Sequence, residues 1–399
     1  MSEPTCNRPT IVSGSVMPGR RLFIAIIYLA GFLQGSDFVL IPALGNTLTA
    51  APYHFSSASY ALLFLPQTAG AVIGASAAGW VQRVLGMGRL FRLGLLTNLL
   101  AMVLLLGATY ANRQLAYALI LAETLLLGIG FGWTLSAINH YSAHFFSKSA
   151  SASITLLNAV IGGATALSPY FLTRFRAAFD LGAWPMLLAV GFACAMLPCL
   201  PETNDDDGAD FWVRGLMPFV SIVLIYAVCE GSFSSWSSVY LSADKHLGNR
   251  VGLLALTGFW ASITLFRILL APVPERWVSR RTLLFVSSAG IALCFAVLPL
   301  LSGAWTLVGA FALAGAACSI YYPFVMSLGL ARFPRQQTQV AGLIVAALMV
   351  GEGLGSYGLG RLQQFASLDH IFAVSALWGI PLLLGAWLTT RRVASKVPR

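Results

Sequence analysis

The chain has 399 residues, of which 58% are hydrophobic and 10% are charged, and its mean hydropathy is +0.79. Soluble proteins carry about 25% charged residues, so this composition excludes a protein that meets water on all sides. The net charge of +10 is not a nucleic-acid footprint, because the basic residues collect in the short connections between apolar runs.

Twelve apolar runs are long enough to cross a membrane, since a spanning helix needs ~20 mostly apolar residues. Lipid offers no partner for backbone N–H and C=O groups, so every run is predicted to be a helix. The sequence therefore predicts an all-α membrane protein with twelve transmembrane helices. The runs cover roughly residues 22–44, 57–80, 90–109, 114–141, 152–173, 182–200, 214–241, 250–272, 282–301, 304–331, 338–360 and 369–390.

The basic residues lie mostly on one side of these spans. Of the 24 Lys and Arg, 17 fall on the side that holds the N-terminus, six on the other, and Arg267 lies within the eighth span. Lys and Arg resist translocation and stay cytoplasmic. We therefore expect a multi-pass inner-membrane protein with both termini in the cytoplasm. The first apolar run is too long for a cleaved signal peptide and contains Asp37, which predicts a retained span.

The two halves of the chain repeat each other at an offset of 192 residues. The basic turn at 79–89 maps onto the basic turn at 271–281. This repeat predicts two pseudosymmetric six-helix bundles. The predicted segments are an N-terminal tail, a first bundle, an acidic linker, a second bundle and a C-terminal tail, at residues 1–20, 21–200, 201–212, 213–390 and 391–399.

This topology, with a basic turn after the second span of each half, resembles the major facilitator superfamily of secondary transporters. The signature loop of that family carries glycines, an acid followed by arginine, and further basic residues. In the first half Arg83 stands where the family has the acid, while Ala271 and Val278 replace the two glycines in the second half. The resemblance implies that these loops latch one bundle to the other. The candidate gating residues are Gly79, Gly86 and Arg89 with Arg83, then Arg267, Glu275, Arg276, Arg280 and Arg281.

A second resemblance, covering parts of the chain, is to the fucose permease branch of sugar–proton symporters. It is carried by Tyr226-x3-Glu230-x-Ser232-x3-Trp236-x3-Tyr240 in the seventh span, and by Phe259-Trp260, Arg267 and Tyr322-Pro323. Asp37 followed by Ile41-Pro42 is similar as well. That branch has an acid where this chain has Trp133, and Glu123 lies more than one helical turn earlier. The resemblance implies proton-coupled uptake of a sugar-like solute.

Four acids lie inside predicted spans and are the candidate proton-coupling residues: Asp37, Glu123, Glu230 and Glu352. A charge at mid-bilayer costs ~2.5–3.5 kcal/mol, and a carboxyl group avoids that cost by binding a proton. Asp37 and Glu230 each lie about 16 residues into the first helix of their half, near mid-membrane. The alternative is that these acids only bond neighbouring helices. Arg267 either extends towards the interface or pairs with an acid.

Polar and aromatic residues of the spans form a predicted solute pocket, because such rings can stack on sugars or flat apolar ligands. The candidates are Gln34, Gln67, Asn139, Asn158, Tyr226, Ser234, Trp236, Tyr240, Trp260, Tyr321 and Tyr322. The i, i+4 spacing of His140 and His144 permits a metal site, but no carboxylate or thiol accompanies them. We predict no metal and no cofactor besides the proton. The chain has no nucleotide-binding Walker motif, and no enzymatic activity is predicted.

We therefore predict a secondary active transporter in which a central cavity opens alternately to each side. Proton-coupled uptake of a sugar-like or other polar solute is the first prediction. Proton-driven efflux of an amphipathic drug, siderophore or metabolite is the alternative, and a receptor or scaffold without transport activity is a third. The expected partners are a small-molecule substrate and the lipid bilayer, with no nucleic acid, and the chain is expected to be a monomer.

Overall fold

The computed structural model describes residues 20–146, 150–174, 183–198, 200–201, 215–270, 279–333 and 337–394. Regular structure in these ranges is helical. The α-helices are α1 Arg20–Phe38, α2 Leu40–Thr49, α3 Ser57–Leu62, α4 Phe64–Leu85, α5 Met87–Thr109, α6 Arg113–Phe145, α7 Ala150–Arg174, α8 Ala183–Met196, α9 Met217–Val239, α10 Asn249–Leu270, α11 Arg280–Val297, α12 Ala304–Cys318, α13 Tyr321–Arg332, α14 Gln337–Leu362, α15 Leu368–Ser375 and α16 Gly379–Ala394. A π turn follows α9, and 3-10 turns follow α11 and α15.

The predicted spans correspond to these helices, singly or in consecutive pairs. Within the described ranges, ten stretches are long and apolar enough to cross a membrane. Two shorter apolar helices, Leu156–Leu172 and Ala183–Met196, occupy the fifth and sixth predicted spans. The prediction of an all-α membrane protein with twelve spans is therefore confirmed. The predicted tails and the linker at 201–212 lie largely outside the described residues, although α16 continues to Ala394.

Four spans are interrupted where a proline is the third residue of the second α-helical segment, and two of these breaks bear on the site. Pro42 is the third residue of α2, and Pro323 is the third residue of α13. Proline has no N–H donor and is tolerated in the first turn of a helix, where no intrahelical acceptor is available. The first span therefore breaks at Val39, and the tenth breaks between Cys318 and Tyr321. Each break leaves backbone groups free for contacts with neighbouring helices.

Glycines allow the same close helix pairing in both halves. In the first half, a β-carbon at Gly128 of α6 would overlap the backbone carbonyl of Gln67 in α4. In the second half, a β-carbon at Gly355 of α14 would overlap the carbonyl of Val228 in α9. Small residues permit such approach between membrane helices, where association depends on packing rather than on exclusion of water. The resulting helix pairs hold Gln67 and Glu352 in fixed positions.

The two halves meet along a surface that we call the seam, where α2 packs against α9, α3 and α4 against α14, and α7 against α10. The Ser238 hydroxyl donates a hydrogen bond of 2.7 Å to the carbonyl of Pro42. Both residues lie towards one end of the bundle, which we call the distal end. It carries the connections at 50–56, 110–112, 245–248, 301–303 and 363–367. The halves are therefore in direct contact at the distal end.

Candidate functional site

A cavity lies in the seam and is lined by both halves of the chain. It contains about 540 Å³ of space free of protein atoms, counting the part open to solvent. The break at Val39 and the close α4–α6 and α9–α14 pairs meet here. Helix ends and side chains therefore line this space, and the helices do not pack continuously across it. The wall is formed by Phe38, Val39, Pro42, Phe64, Gln67, Thr68, Ala71, Gly128, Phe131, Gly231, Ser234, Ser235, Trp260, Met349, Glu352, Gly353 and Ser356.

Glu352 connects this wall to a buried polar cluster in the second half. Its carboxyl group lies within hydrogen-bonding reach of the carboxyl group of Glu230 on α9. A bond between two carboxyl groups requires one proton between them. Glu230 is buried, with 2% of its surface exposed, whereas Glu352 is partly exposed at the cavity. The pair therefore connects a solvent-accessible carboxyl group in the cavity wall to a buried carboxyl group.

Arg267 supplies the positive charge of this cluster. Its terminal nitrogen lies 3.7 Å from a carboxyl oxygen of Glu230, and its Nε donates a hydrogen bond of 3.0 Å to the carbonyl of Ser319. The Tyr226 hydroxyl likewise donates to the carbonyl of Cys318, at 2.9 Å. Both carbonyls are freed by the break between α12 and α13. Of the two sequence-based alternatives for Arg267, the structure contains the pairing with an acid.

A second pair of acids lies in the first half, sealed from solvent. Asp37 on α1 and Glu123 on α6 each have no exposed surface and are close enough for their charges to interact. The Gln34 amide donates a hydrogen bond of 3.0 Å to Asp37. Among the described residues, neither carboxyl oxygen of Glu123 has a hydrogen-bond partner, and one oxygen of Asp37 lacks one as well. Neither acid is among the described residues of the cavity wall.

The apolar part of the wall is an arrangement of three aromatic rings. The Phe38 ring centroid lies 5.2 Å from that of Phe131 and 5.9 Å from that of Trp260, with the Phe38 and Trp260 planes at 83°. Such tilted and edge-on pairs are the favoured geometries of aromatic contact. In the part of the chain that the structure describes, the indole N–H of Trp260 has no hydrogen-bond partner. It is a buried donor on a residue that lines the cavity.

Four of the predicted pocket residues are buried in packing and lie outside the wall: Tyr226, Trp236, Tyr240 and Tyr321. The Trp236 indole donates to the Ser356 carbonyl at 2.8 Å, the Tyr321 hydroxyl donates to the Leu382 carbonyl at 3.0 Å, and Tyr240 bonds Asp369. A membrane helix offers few other partners for such donors. Their polar atoms are therefore committed to the second half in this conformation.

The remaining predicted pocket residues divide between the wall and other places. Gln67, Ser234 and Trp260 lie in the wall. Gln34 bonds Asp37, and Tyr322 lies beside the Glu230–Arg267–Glu352 cluster. Outside the wall, Asn139 is partly buried, and Asn158 is exposed with its amide bonded to the carbonyl of Ile154.

The ring centroids of His140 and His144 are 6.2 Å apart. Within the described residues, no three His, Cys, Asp or Glu side chains form a cluster suited to a metal ion.

The predicted loop latches are described only in part. Arg83 is exposed and donates a hydrogen bond of 3.2 Å to the carbonyl of Gly79, one turn earlier in α4. Gly86 joins α4 to α5 with a φ of +92°, a conformation that favours glycine, and Arg89 is exposed. In the second half Arg281 lies over the Phe285 ring. Glu275, Arg276 and the Arg280 side chain lie outside the described residues.

Sequence reasoning missed the serines and the tyrosine that join helices at the seam. Ser235 and Ser356 share a hydrogen bond of 2.6 Å next to the cavity. Tyr60 donates its hydroxyl to the carbonyl of Ser235 at 2.9 Å. The signal was present in the sequence as a run of five serines between 232 and 238 in an apolar helix. A polar stripe of that kind indicates contact with protein or water rather than lipid.

A scan of sequence families finds no matching family, and a search of curated protein sequences finds no match. Solved structures do match the fold. A mutant of the nucleoside transporter NupG aligns with a TM-score of 0.73 at 14% identity, covering 92% of this chain and 99% of that one. A D-xylose-proton symporter aligns with a TM-score of 0.74 at 14% identity over 92% of this chain and 96% of its own.

A bacterial homologue of the human drug peptide transporters PepT1 and PepT2 also aligns, with a TM-score of 0.68 at 12% identity. That alignment covers 94% of this chain and 98% of the homologue. Identities this low establish architecture rather than substrate. The chain therefore has the fold of these transporters, which is the twelve-helix, two-bundle major facilitator architecture predicted from its sequence.

Proposed function

We propose that this protein is a secondary active transporter that moves a small organic solute across the membrane in exchange for, or together with, protons. The observation that carries the proposal is the position of Glu352. Its carboxyl group lies in the wall of the cavity between the two halves and is within hydrogen-bonding reach of the buried Glu230. An ionisable group inside a membrane protein, at the meeting point of two repeats, is a favoured position for a coupling site.

Alternating access would proceed by separation of the two halves at the distal end. In the described conformation that end is held by Tyr60–Ser235 and Ser238–Pro42 hydrogen bonds between the halves. These bonds join hydroxyl groups to backbone carbonyls, so they can be exchanged for water when the seam opens. Rocking of one repeat against the other would then expose the cavity to the opposite side.

Proton coupling would follow from the charge balance of the second-half cluster. Arg267 can balance one carboxylate, and the shared proton balances the other. Loss of that proton would leave a net negative charge beside the cavity, which is costly unless water or a solute reaches it. Proton binding and cavity opening would therefore influence each other. The sealed pair of Asp37 and Glu123 is a second site that would respond to wetting.

The composition of the wall bears on the choice between the two transport predictions. Aromatic and aliphatic residues are the most numerous group in the wall. The described hydrogen-bonding side chains are Gln67, Thr68, Ser234, Ser235, Glu352 and Ser356, and Ser235 and Ser356 bond each other. A sugar needs several polar contacts to replace its hydration. The wall therefore favours an amphipathic solute and the efflux alternative over uptake of a sugar. The names of two structural neighbours, a nucleoside transporter and a D-xylose-proton symporter, support the polar solute instead.

Flux measurements in proteoliposomes test the proposed function. The purified chain is reconstituted, a pH gradient is imposed, and uptake of D-xylose, uridine and 1-methyl-4-phenylpyridinium is followed in both gradient orientations. The proposal predicts that the gradient drives at least one solute and that Glu352→Gln abolishes this effect. Absence of gradient-driven flux for the whole panel, together with intact binding, would favour the receptor or scaffold prediction.

A further inference from the structure

We infer that the cavity recognises a flat apolar ring bearing a positive charge, and that this charge takes the place of the proton on Glu352. The inference deepens the proposed function, on which it rests, because it names a class of solute for the same cavity. It follows from three features of the wall: its rings, its charge, and a buried indole donor that has no partner among the described residues.

The rings define the shape of the solute. Phe38, Phe131 and Trp260 stand at tilted or edge-on angles to one another, and Phe64 and Met349 complete the apolar surface. Aromatic side chains in this arrangement present faces and edges to a flat ring, and their π faces attract cations. A cation that carries an aromatic ring can pack against these side chains and can also be attracted to their π faces. A flexible polar chain can make neither contact.

The charge of the wall is negative when Glu352 is ionised and zero when Glu352 carries a proton. Among the described residues that line the cavity, Glu352 is the only ionisable side chain, and none is a lysine, arginine or histidine. Arg267 is outside the wall, with its Nε fixed to the Ser319 carbonyl and its terminal nitrogen directed to Glu230. A cation in the cavity therefore meets a carboxyl group with no competing positive charge in the wall itself.

The groups that face Glu352 set the charge balance. They come from α9, α10 and α13, while α4 presents the neutral Gln67 and Thr68, and they are Glu230, Tyr226, Arg267 and Tyr322. With the proton on Glu352, the two carboxyl groups and Arg267 have no net charge. If a solute cation enters and the proton leaves, the sum is unchanged. One proton is therefore released for each cation bound.

The indole N–H of Trp260 adds selectivity for one further group. It is a donor without a hydrogen-bond partner among the described residues and belongs to a residue of the wall. An unpaired buried donor is less favourable than one that has a hydrogen-bond acceptor. A solute with an acceptor on its ring, such as an ether or carbonyl oxygen, would satisfy it. The inferred class is thus an aromatic cation, favoured further by a ring acceptor.

Binding of three probes with the same two-ring skeleton tests the inference. They are 1-methyl-4-phenylpyridinium as the cation, 4-phenylpyridine as the neutral form at neutral pH, and biphenyl-4-carboxylate as the anion. Titration calorimetry on the purified full chain should give at least about tenfold tighter binding of the cation than of either other probe. The affinity for the cation should fall as the pH is lowered, by up to about tenfold per pH unit wherever Glu352 is protonated in the free protein.

Variants separate charge recognition from folding. Glu352→Gln should lose the preference for the cation and the proton release, while a cooperative melting transition shows that the variant is folded. Asp369→Asn provides the matched acid-to-amide control, since Asp369 lies at the distal end in contact with Lys245 and outside the wall. It should retain the cation affinity of the natural chain. Proton release is measured directly in weakly buffered solution with a pH indicator.

Three results would overturn the inference. Equal binding of the cation and the neutral probe would remove the role of charge, and no binding of any probe would remove the aromatic class. Tightest binding of biphenyl-4-carboxylate, lost in Arg267→Gln, would assign an anion site to Arg267. In each case gradient-driven flux of D-xylose or uridine would preserve the proposed transport function, so that the two failures remain distinguishable.

Discussion

The hydroxyl group of Tyr60 donates a hydrogen bond of 2.9 Å to the backbone carbonyl of Ser235 and thereby joins the first half of the chain to the second. The ring of Tyr60 also packs edge-on against Trp236, with centroids 5.3 Å apart. Both side chains are fully buried. This contact closes the distal end above the cavity, so its strength affects how often the two halves separate there.

The variant Tyr60→Phe should open the distal end more often. It removes one hydrogen bond, worth ~0.5–1.5 kcal/mol, and retains the ring. Amide hydrogen exchange in residues 57–62 and 235–239 should increase several-fold. Tyr117→Phe is the control, because the Tyr117 hydroxyl donates to the Ser59 carbonyl within the first half. Equal exchange in both variants and in the natural chain would contradict the assignment of Tyr60 to distal closure.

The buried acid Glu123 should lower the free energy of unfolding of the protein, and we expect it to act in transport. Neither of its carboxyl oxygens has a hydrogen-bond partner among the described residues, and the side chain is fully buried. Burying an unpaired polar group costs ~1–3 kcal/mol. Glu123→Met, of similar volume and without polar atoms, should therefore raise the melting temperature of the purified protein.

The same variant should lose pH-driven accumulation of solute and keep exchange of solute across the membrane without a gradient. Glu123→Gln is the matched control, since it retains buried polar atoms and should give no gain in melting temperature. A melting temperature below that of the natural chain for Glu123→Met would mean that the carboxyl group has a stabilising partner. It would contradict the account of a sealed, unpaired acid.

Arg267 and Glu230 should be coupled in stability. Glu230 is 2% exposed, and a terminal nitrogen of Arg267 lies 3.7 Å from its carboxyl group, so removal of either partner leaves the other unbalanced. Arg267→Gln and Glu230→Gln should each destabilise the protein, and the double variant should recover part of the loss. A double-mutant cycle of thermal stabilities should give a coupling energy of ~0.5–3 kcal/mol. Strict additivity would mean that the pair does not interact.

Two glycines of α14, three residues apart, should respond differently to the same change. A β-carbon at Gly355 would overlap the carbonyl of Val228, whereas one at Gly358 would meet nothing within 4 Å. Gly355→Ala should therefore destabilise by ~1–3 kcal/mol through overpacking. Gly358→Ala should leave the melting temperature and the yield of folded protein unchanged. Similar behaviour of the two variants would contradict the close α9–α14 pairing.

The sequence predicted the helices well, because each span must satisfy its own backbone in lipid and its length follows from bilayer thickness. It also placed Asp37, Glu123, Glu230 and Glu352 inside the membrane. The sequence could not indicate which of these acids lie next to each other. The Asp37–Glu123 and Glu230–Glu352 contacts join helices distant in the chain, and such contacts depend on glycine-mediated packing that hydropathy does not encode.

The wall of the cavity was predicted less completely than the helices. Trp260 was predicted as a pocket residue and lies in the wall, whereas Trp236 and Tyr240 do not. The difference lies in the partner of each polar atom, since Trp236 and Tyr240 donate to groups in their own half. An aromatic residue in a membrane helix has the same sequence signature in both situations. The loop residues Glu275 and Arg276 lie outside the described ranges, and their latch role stays a prediction.

A reversible cross-link at the distal end tests the central claim most directly, namely that the seam is the path of transport. A β-carbon at Gly45 would lie 3.0 Å from Cγ2 of Val239, across the seam, close to the spacing of the corresponding atoms in a disulfide. It would also lie 2.7 Å from the Tyr60 hydroxyl, which has to shift, so the reduced double variant and the Gly45→Cys single variant are the reference for this displacement. The variant Gly45→Cys/Val239→Cys is reconstituted, oxidised and assayed for solute flux, with each single variant as control. The account predicts that oxidation stops flux in the double variant alone and that reduction restores it. Unchanged flux through the fully cross-linked protein would contradict it.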